Sequence, residues 1–172
     1  MRTNWTESNP WVPKSSSAVS KFNLSLSPVT IGQQIADLLN QNNRLANLHT
    51  ANSILQNNIQ YFIELHCNVV IGCIGLKRQQ NMDKIVHLSV HQNYRNYGIG
   101  RRLLRTAVTN SLKDTIYMQI RNDNVASLRL AESEGFNAIA FIPKGNYQLY
   151  SMILFRRTEC QRKDLHGQHM LL

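Results

Sequence analysis

Apolar and polar residues alternate along this chain with a period that switches several times, and each switch marks an element. "KFNLSLS" (21–27) alternates as a short strand. Pro28 suits the first turn of a helix, and "IGQQIADLLNQ" then places Ile31, Ile35, Leu38 and Leu39 on one helical face. A weaker helical pattern covers Leu45 to Ile54. "IQYFIELH" and "NVVIGCIGLKR" are rich in β-branched and aromatic residues and read as a hairpin joined at Cys67-Asn68. "KIVHLSV" follows as a third adjacent strand after the polar turn "QQNMD". Next comes a helix presenting Leu103, Leu104, Ala107, Val108 and Leu112, then "TIYMQI" as a buried strand. "NVASLRLAESEG" is a further helix, with Gly135 where a left-handed cap belongs. "FNAIAFI" and "YQLYSMILF" complete the pattern as two antiparallel strands.

Strand, helix and strand between Lys84 and Arg121 form a βαβ unit, so "KIVHLSV" and "TIYMQI" should run parallel. The pattern divides the chain into a polar arm over 1–20, one folded domain over 21–157 and a basic polar tail over 158–172. Trp5 and Trp11 are the features of the arm that could dock it on something.

Composition narrows the class. A chain of 172 residues with 42% hydrophobic and 17% charged residues is of single-domain size. No stretch approaches the roughly 18 consecutive apolar residues of a membrane span, so no membrane partner is expected. The amino terminus has no apolar h-region of the secretory kind. Cys67, Cys73 and Cys160 show no metal-ligand spacing; free thiols, a cytoplasmic location and no bound metal are expected. The net charge of +9 leaves nucleic acid open as a partner, but no nucleic-acid-binding signature accompanies it. Oligomeric state is also open, a homodimer included.

The candidate chemistry lies in "VHQNYRNYGIGRRLL" (90–104). Gly98 and Gly100 lead into a helix whose first turns carry Arg101, Arg102 and Arg105. Cations at a helix start are mildly unfavourable, by about 0.3–1 kcal/mol each, which suggests an anion bound in the same place. A Walker loop is absent. A dinucleotide loop fails too, because no third glycine follows Gly100 and the next strand ends without an acidic residue. The stretch Arg95-Asn96-Tyr97-Gly98-Ile99-Gly100 instead fits R/Q-x-x-G-x-G/A, and Asn124, Ser127, Leu130, Gly135 and Phe136 follow as a second spaced motif. Together these motifs resemble those of the GNAT family of N-acetyltransferases, over about residues 84–142.

The resemblance implies an α/β fold with a mixed, mostly antiparallel sheet of six to seven strands. The sheet would be splayed at the acetyl-CoA site and flanked by about four helices. It implies that pantetheine pairs with the backbone of Leu88, Ser89 and Val90. The pyrophosphate would sit on the amides of Arg95, Asn96, Tyr97, Gly98, Ile99, Gly100 and Arg101, with Arg101 and Arg102 adding charge and Asn124 near the pantetheine arm. The implied activity is acetyl transfer from acetyl-CoA to a primary amine. The usual acid and base positions are changed, however: Ala131 stands for a tyrosine, Gln119 for a glutamate, and Lys84 for a glutamate or histidine. The catalytic group is therefore open, with His87 and Tyr147 as candidates, and Glu64, His66 and Tyr150 behind them. A non-catalytic acyl-CoA-binding module is the alternative.

Overall fold

Cys67 and Asn68 have φ of 48° and 63°, and this left-handed pair folds the first two strands into a hairpin. The computed structural model describes residues 26–42 and 47–156. The expected arm, the expected tail and most of the "KFNLSLS" strand lie outside the described residues. The elements are helix α1 (Pro28–Asn42), α2 (Ala51–Leu55), strands β1 (Ile59–His66), β2 (Val69–Lys77) and β3 (Asp83–Val90), α3 (Ile99–Asn110), β4 (Thr115–Arg121), α4 (Val125–Ser133), β5 (Asn137–Lys144) and β6 (Tyr147–Phe155). Six strands form one sheet in the order β1-β2-β3-β4-β6-β5, and of its pairs only β3 and β4 run parallel.

Helices cover both faces. On one, α3 and α4 pack Leu103, Leu104, Ala107 and Ala131 against Ile85, Ile116 and Met118. On the other, α1 and α2 pack Ile35, Leu38, Leu39 and Ile54 against Val70 and Cys73. Gly72 lets α3 sit directly on β2: a Cβ there would lie 2.8 Å from Ile99 Cγ2 and 3.0 Å from Leu103 Cδ1. Each such buried aliphatic side chain stabilises the fold by about 1.5–3 kcal/mol. The α3 amino terminus is thereby held at one height over the sheet.

Two helical expectations need correction. The second helix begins at Ala51 rather than Leu45, because Thr50 is extended and exchanges capping hydrogen bonds with Ser53. Leu112 is 83% exposed rather than packed, because Ser111 leaves the helix with ψ of 139°. Gly135 caps α4 as expected, with φ of 88° and Schellman bonds from Phe136 N to Ala131 O and from Gly135 N to Glu132 O.

The feature that shapes the site is in β3. Gly75 pairs with Val86 and Cys73 with Ser89, so Ile74 alone opposes both His87 and Leu88. His87 absorbs this bulge with φ of 59°. On the other side, β3 meets β4 only at Asp83–Ile116, Lys84–Tyr117 and Ile85–Met118. Beyond Ile85 the two strands part.

A buried carboxylate secures the paired end. Asp83 is fully buried, and its Oδ2 accepts from Arg78 Nη1 and from the Ser111 hydroxyl, both at 2.8 Å. Arg78 also donates to the carbonyl of Asn110 at the end of α3. Burial works to raise the Asp83 pKa, but the Ser111 and Arg78 hydrogen bonds outweigh it and hold the carboxyl below its ordinary range. Asp83→Asn should cost about 1–3 kcal/mol in urea unfolding at neutral pH. The wild-type advantage should shrink as pH falls through the depressed Asp83 pKa, where the folded carboxylate takes up a proton.

Candidate active site

Where β3 and β4 part, a cavity of about 730 Å³ opens between them and the helices that follow each strand. Leu88, Ser89 and Val90 form one wall. Arg121, Asp123 and Asn124, with Ala126, Ser127 and Leu130 of α4, form the other. The loop from Tyr94 to Asn96 and the start of α3, Gly98 to Arg101, close one end, and Asn42 reaches in from the end of α1. Past Ile85, β3 has no strand partner on the β4 side among the described residues, so this edge is open to pairing with an extended ligand.

The start of α3 is built to meet an anion. Gly98 is its N-cap residue with φ of 75°, and no side chain caps the helix. By contrast, Thr50 caps α2, and Asn124 caps α4 through a 3.2 Å bond from Ser127 N to Asn124 Oδ1. The first-turn amides of α3 thus point into the cavity end with the positive end of the helix dipole. A Cβ on Gly100 would stand 3.4 Å from Leu130 Cδ2 and 3.8 Å from Val90 Cγ2, so any side chain there would enter the space between the two walls. A cavity of this size with a glycine-lined, amide-rich end fits a long ligand with a phosphate group.

Of the residues expected at a cofactor, Leu88, Ser89, Val90, Arg95, Asn96, Gly98, Ile99, Gly100, Arg101 and Asn124 stand on this wall. Tyr97 and Arg102 do not. Arg102 leaves the helix one residue on from Arg101, about 100° around, and donates to Glu64 Oε1 at 2.9 Å and to the Tyr97 carbonyl at 3.0 Å. Tyr97 is 65% exposed. Arg101 is on the wall but pairs with Glu134 at 3.0 Å, as does Arg105 at 2.7 Å. The crowding of arginines at the helix start is thus offset largely within the fold.

Sequence reasoning missed Asn42 and Arg121. Asn42 donates to Ser89 Oγ and Val90 O and accepts from Arg95 Nη2 at 2.8 Å, tying α1 to the loop. Nothing local at Asn42 signals this. Arg121 could have been found from its place three residues before Asn124; it is held by Asp123 in a two-bond ion pair. Its guanidinium lies 4.0 Å from the centre of the Tyr147 ring, which places Tyr147 beside the cavity mouth as a stacking partner.

His87 lies off the cavity wall. Its Nδ1 is 2.6 Å from the Tyr61 hydroxyl, and its ring meets the His49 ring edge-on at 4.8 Å. Burial, reinforced by His49, lowers its pKa to about 4, while burial pushes Tyr61 up to about 12. Tyr61 therefore keeps its proton and the imidazole is neutral near pH 7, the two joined by this hydrogen bond. The Tyr61 and His49 contacts hold the His87 ring at the bulge, off the cavity wall. Ala131 is buried in the core, and Lys84 and Gln119 bond to each other at 2.9 Å between Nζ and Oε1. Among the described residues, no group of three or more histidine, cysteine or acidic side chains could hold a metal.

The family model described as the acetyltransferase (GNAT) family matches residues 33–136. The chain is 36% identical over 69 residues to the N-alpha-acetyltransferase RimI of Mycobacterium tuberculosis. That match covers 40% of this chain and 44% of the relative, so less than half of that curated relative is spanned. The ribosomal-protein-S18-alanine N-acetyltransferase of Escherichia coli shares the fold with a TM-score of 0.62 at 15% identity, over 86% of this chain and 96% of the other. A GNAT family acetyltransferase from Elizabethkingia anophelis with acetyl-CoA bound also shares it, with a TM-score of 0.55 at 18% identity, over 69% and 88%.

The buried histidine gives a pH signature. His87 binds its proton less readily folded than unfolded, so between its ordinary pKa of 6.5 and about 4 the unfolded chain holds the extra proton. Stability should therefore decline as pH falls through that window. His87→Asn, which tolerates positive φ, should give a flatter profile there in urea unfolding from pH 8 to pH 4. Equal slopes for both proteins would show that His87 titrates normally.

Proposed function

Since the chain belongs to the acetyltransferase (GNAT) family, with its family model matching residues 33–136, we propose that it is an acetyl-CoA-dependent N-acetyltransferase acting on a primary amine in a ternary complex. The observation that carries this reading is the conjunction at one cavity of the open β3 edge after Ile85 and the uncapped α3 amino terminus. Leu88, Ser89 and Val90 offer a strand edge to the pantetheine, and Gly98 to Arg101 offer amides to the pyrophosphate. Arg95, whose partners Asn42 and Val90 O are neutral, keeps its charge for the phosphates. Asn124 shapes the opposite wall from the start of α4.

Acetyl-CoA supplies the acetyl group as a thioester. The chain's part is to place that carbon beside a neutral amine, and proximity of this kind can lower a barrier by about 7–11 kcal/mol. A backbone N–H on the open β3 edge can stabilise the developing oxyanion. An amine with a pKa near 10.4 must first lose its proton, and water at the cavity mouth is the acceptor in this reading. A thiol pKa of about 8.5, judged by cysteine, lets the thiolate leave without an acid. Cys67 and Cys73 are both unpaired, which favours a cytoplasmic setting.

One observation favours a second reading, a module that binds acyl-CoA without turnover. Gln119 and Lys84 occupy two positions where relatives carry acid or base groups, and among the described residues their side chains bond to each other. Thermal unfolding with acetyl-CoA, and thiol release in a panel of amines, separates the two. Saturating ligand at 100 times its Kd should add about 2.7 kcal/mol of stability, raising Tm. Gly100→Val should remove that rise while the apo protein still unfolds cooperatively. Thiol release with at least one amine supports the transferase; stabilisation without release supports the module; no stabilisation removes both.

A further inference from the structure

Side chains on β4 alternate between two environments. Ile116, Met118 and Ile120 are buried in the core under α3 and α4. Tyr117, Gln119 and Arg121 project from the other face, beside Ile153, Ser151 and Leu149 across the β6 pairing. The helices α1 and α2 pack on this second face over Val70 and Cys73 of β2. Over β4 and β6 it stays accessible: Gln119 is exposed, and Tyr117, Arg121, Tyr147, Leu149 and Ser151 are half-buried. The first face is filled by α3, α4 and the cavity, so an amine reaching the gap between β3 and β4 comes from the second.

What that amine meets is cationic. Lys84 stands on the rung next to the last contact of β3 with β4, beside the point where the gap opens. Its Nζ lies 5.3 Å from the centre of the Tyr117 ring and bonds to the neutral Gln119. Among the described residues no carboxylate pairs with it, and its register partner on β2 is another cation, Lys77. Burial, and then the Lys77 charge, lower the Lys84 pKa. An anion brought beside this pair would relieve their repulsion. Further along, Arg121 borders the cavity and its charge is matched by Asp123, so the unmatched charge on this face is that of Lys84 and its neighbour Lys77 among the described residues. A polycationic acceptor would be repelled here.

Resting on the acetyl-transfer reading above, we infer that the acceptor is an anionic amine, a primary amine with a carboxylate close to it, and that Lys84 reads the carboxylate. The same chemistry is presented by a peptide with acidic residues next to its amino terminus and by a free amino acid with an acidic side chain. A polyamine or a basic peptide lacks it.

The test compares kcat/KM for four acceptors: a peptide beginning Ala-Glu-Glu, its Ala-Lys-Lys counterpart, free glutamate and spermidine. The glutamyl peptide or glutamate should exceed the lysyl peptide and spermidine by about tenfold or more at low salt, with the margin narrowing as salt screens the contact. The faster of the two acidic acceptors identifies the source as peptide or small molecule. In Lys84→Glu the preference should collapse or reverse through KM, while acetyl-CoA still raises Tm. Equal rates for acidic and basic acceptors, a preference for spermidine, or an unchanged preference in Lys84→Glu would overturn the inference and leave acetyl transfer standing. Thiol release with none of the four and with no other amine would overturn acetyl transfer itself and the acceptor assignment with it.

Discussion

The bulge at His87 is the constraint on which the rest of this structure depends. A regular β3 would keep its outer edge in register with β4 along the whole length of both strands, and the sheet would be closed. Placing His87 and Leu88 opposite the single residue Ile74 turns β3 away after three rungs. That arrangement puts a histidine at φ of 59°, a conformation uncommon outside glycine, although histidine, asparagine and aspartate adopt it more readily than other side chains. The strain is held by contacts on both sides of the chain: Tyr61 bonds the imidazole, and the Cys73 thiol approaches the His87 carbonyl at 3.6 Å. At the other end, Asp83, Arg78 and Ser111 keep the paired rungs together. Staple, rungs, and then the gap with its bulge lie within the eight residues of β3.

The second requirement is that α3 should start where the gap ends. Gly72 brings Ile99 and Leu103 down onto β2, and the left-handed Gly98 turns the chain into the helix without a capping side chain. The arginines of its first turns carry the electrostatic cost of that design, and the fold meets most of it itself. Glu134, 11% exposed in its side chain, takes Arg101 and Arg105, and Glu64 takes Arg102. These pairs also join α3 to α4 and to β1, so they brace the walls of the cavity as well as balancing charge. Among the described residues, Arg95 is held by neutral partners and no carboxylate pairs with it.

The order and type of the elements were legible because each is announced by a local signal. The Cys67-Asn68 turn, the periodicity of α1 and the Gly135 cap need only near neighbours. The glycine loop was legible for the same reason, and most of the cavity wall with it. What the sequence hid depends on contacts between distant residues. The roles of Arg101 and Arg102 differ because 100° of helix rotation sends one to the cleft and the other to Glu64. Asn42 reaches Ser89 and Arg95 across 47 and 53 positions. His87 stood in its strand as one candidate among several, and its bond to Tyr61, 26 residues away, has no local signal. Leu112 fitted the apolar stripe of α3, but the helix ends before reaching it.

The central claim is that the open edge of β3 and the uncapped start of α3 together form one ligand slot. Hydrogen exchange with and without acetyl-CoA tests it most directly, because it reads the backbone groups to which the claim assigns the work. The account predicts slowed exchange in peptides covering Leu88 to Val90 and Gly98 to Arg102, with little change in β5. Protection confined to other segments, while acetyl-CoA still binds, would contradict it.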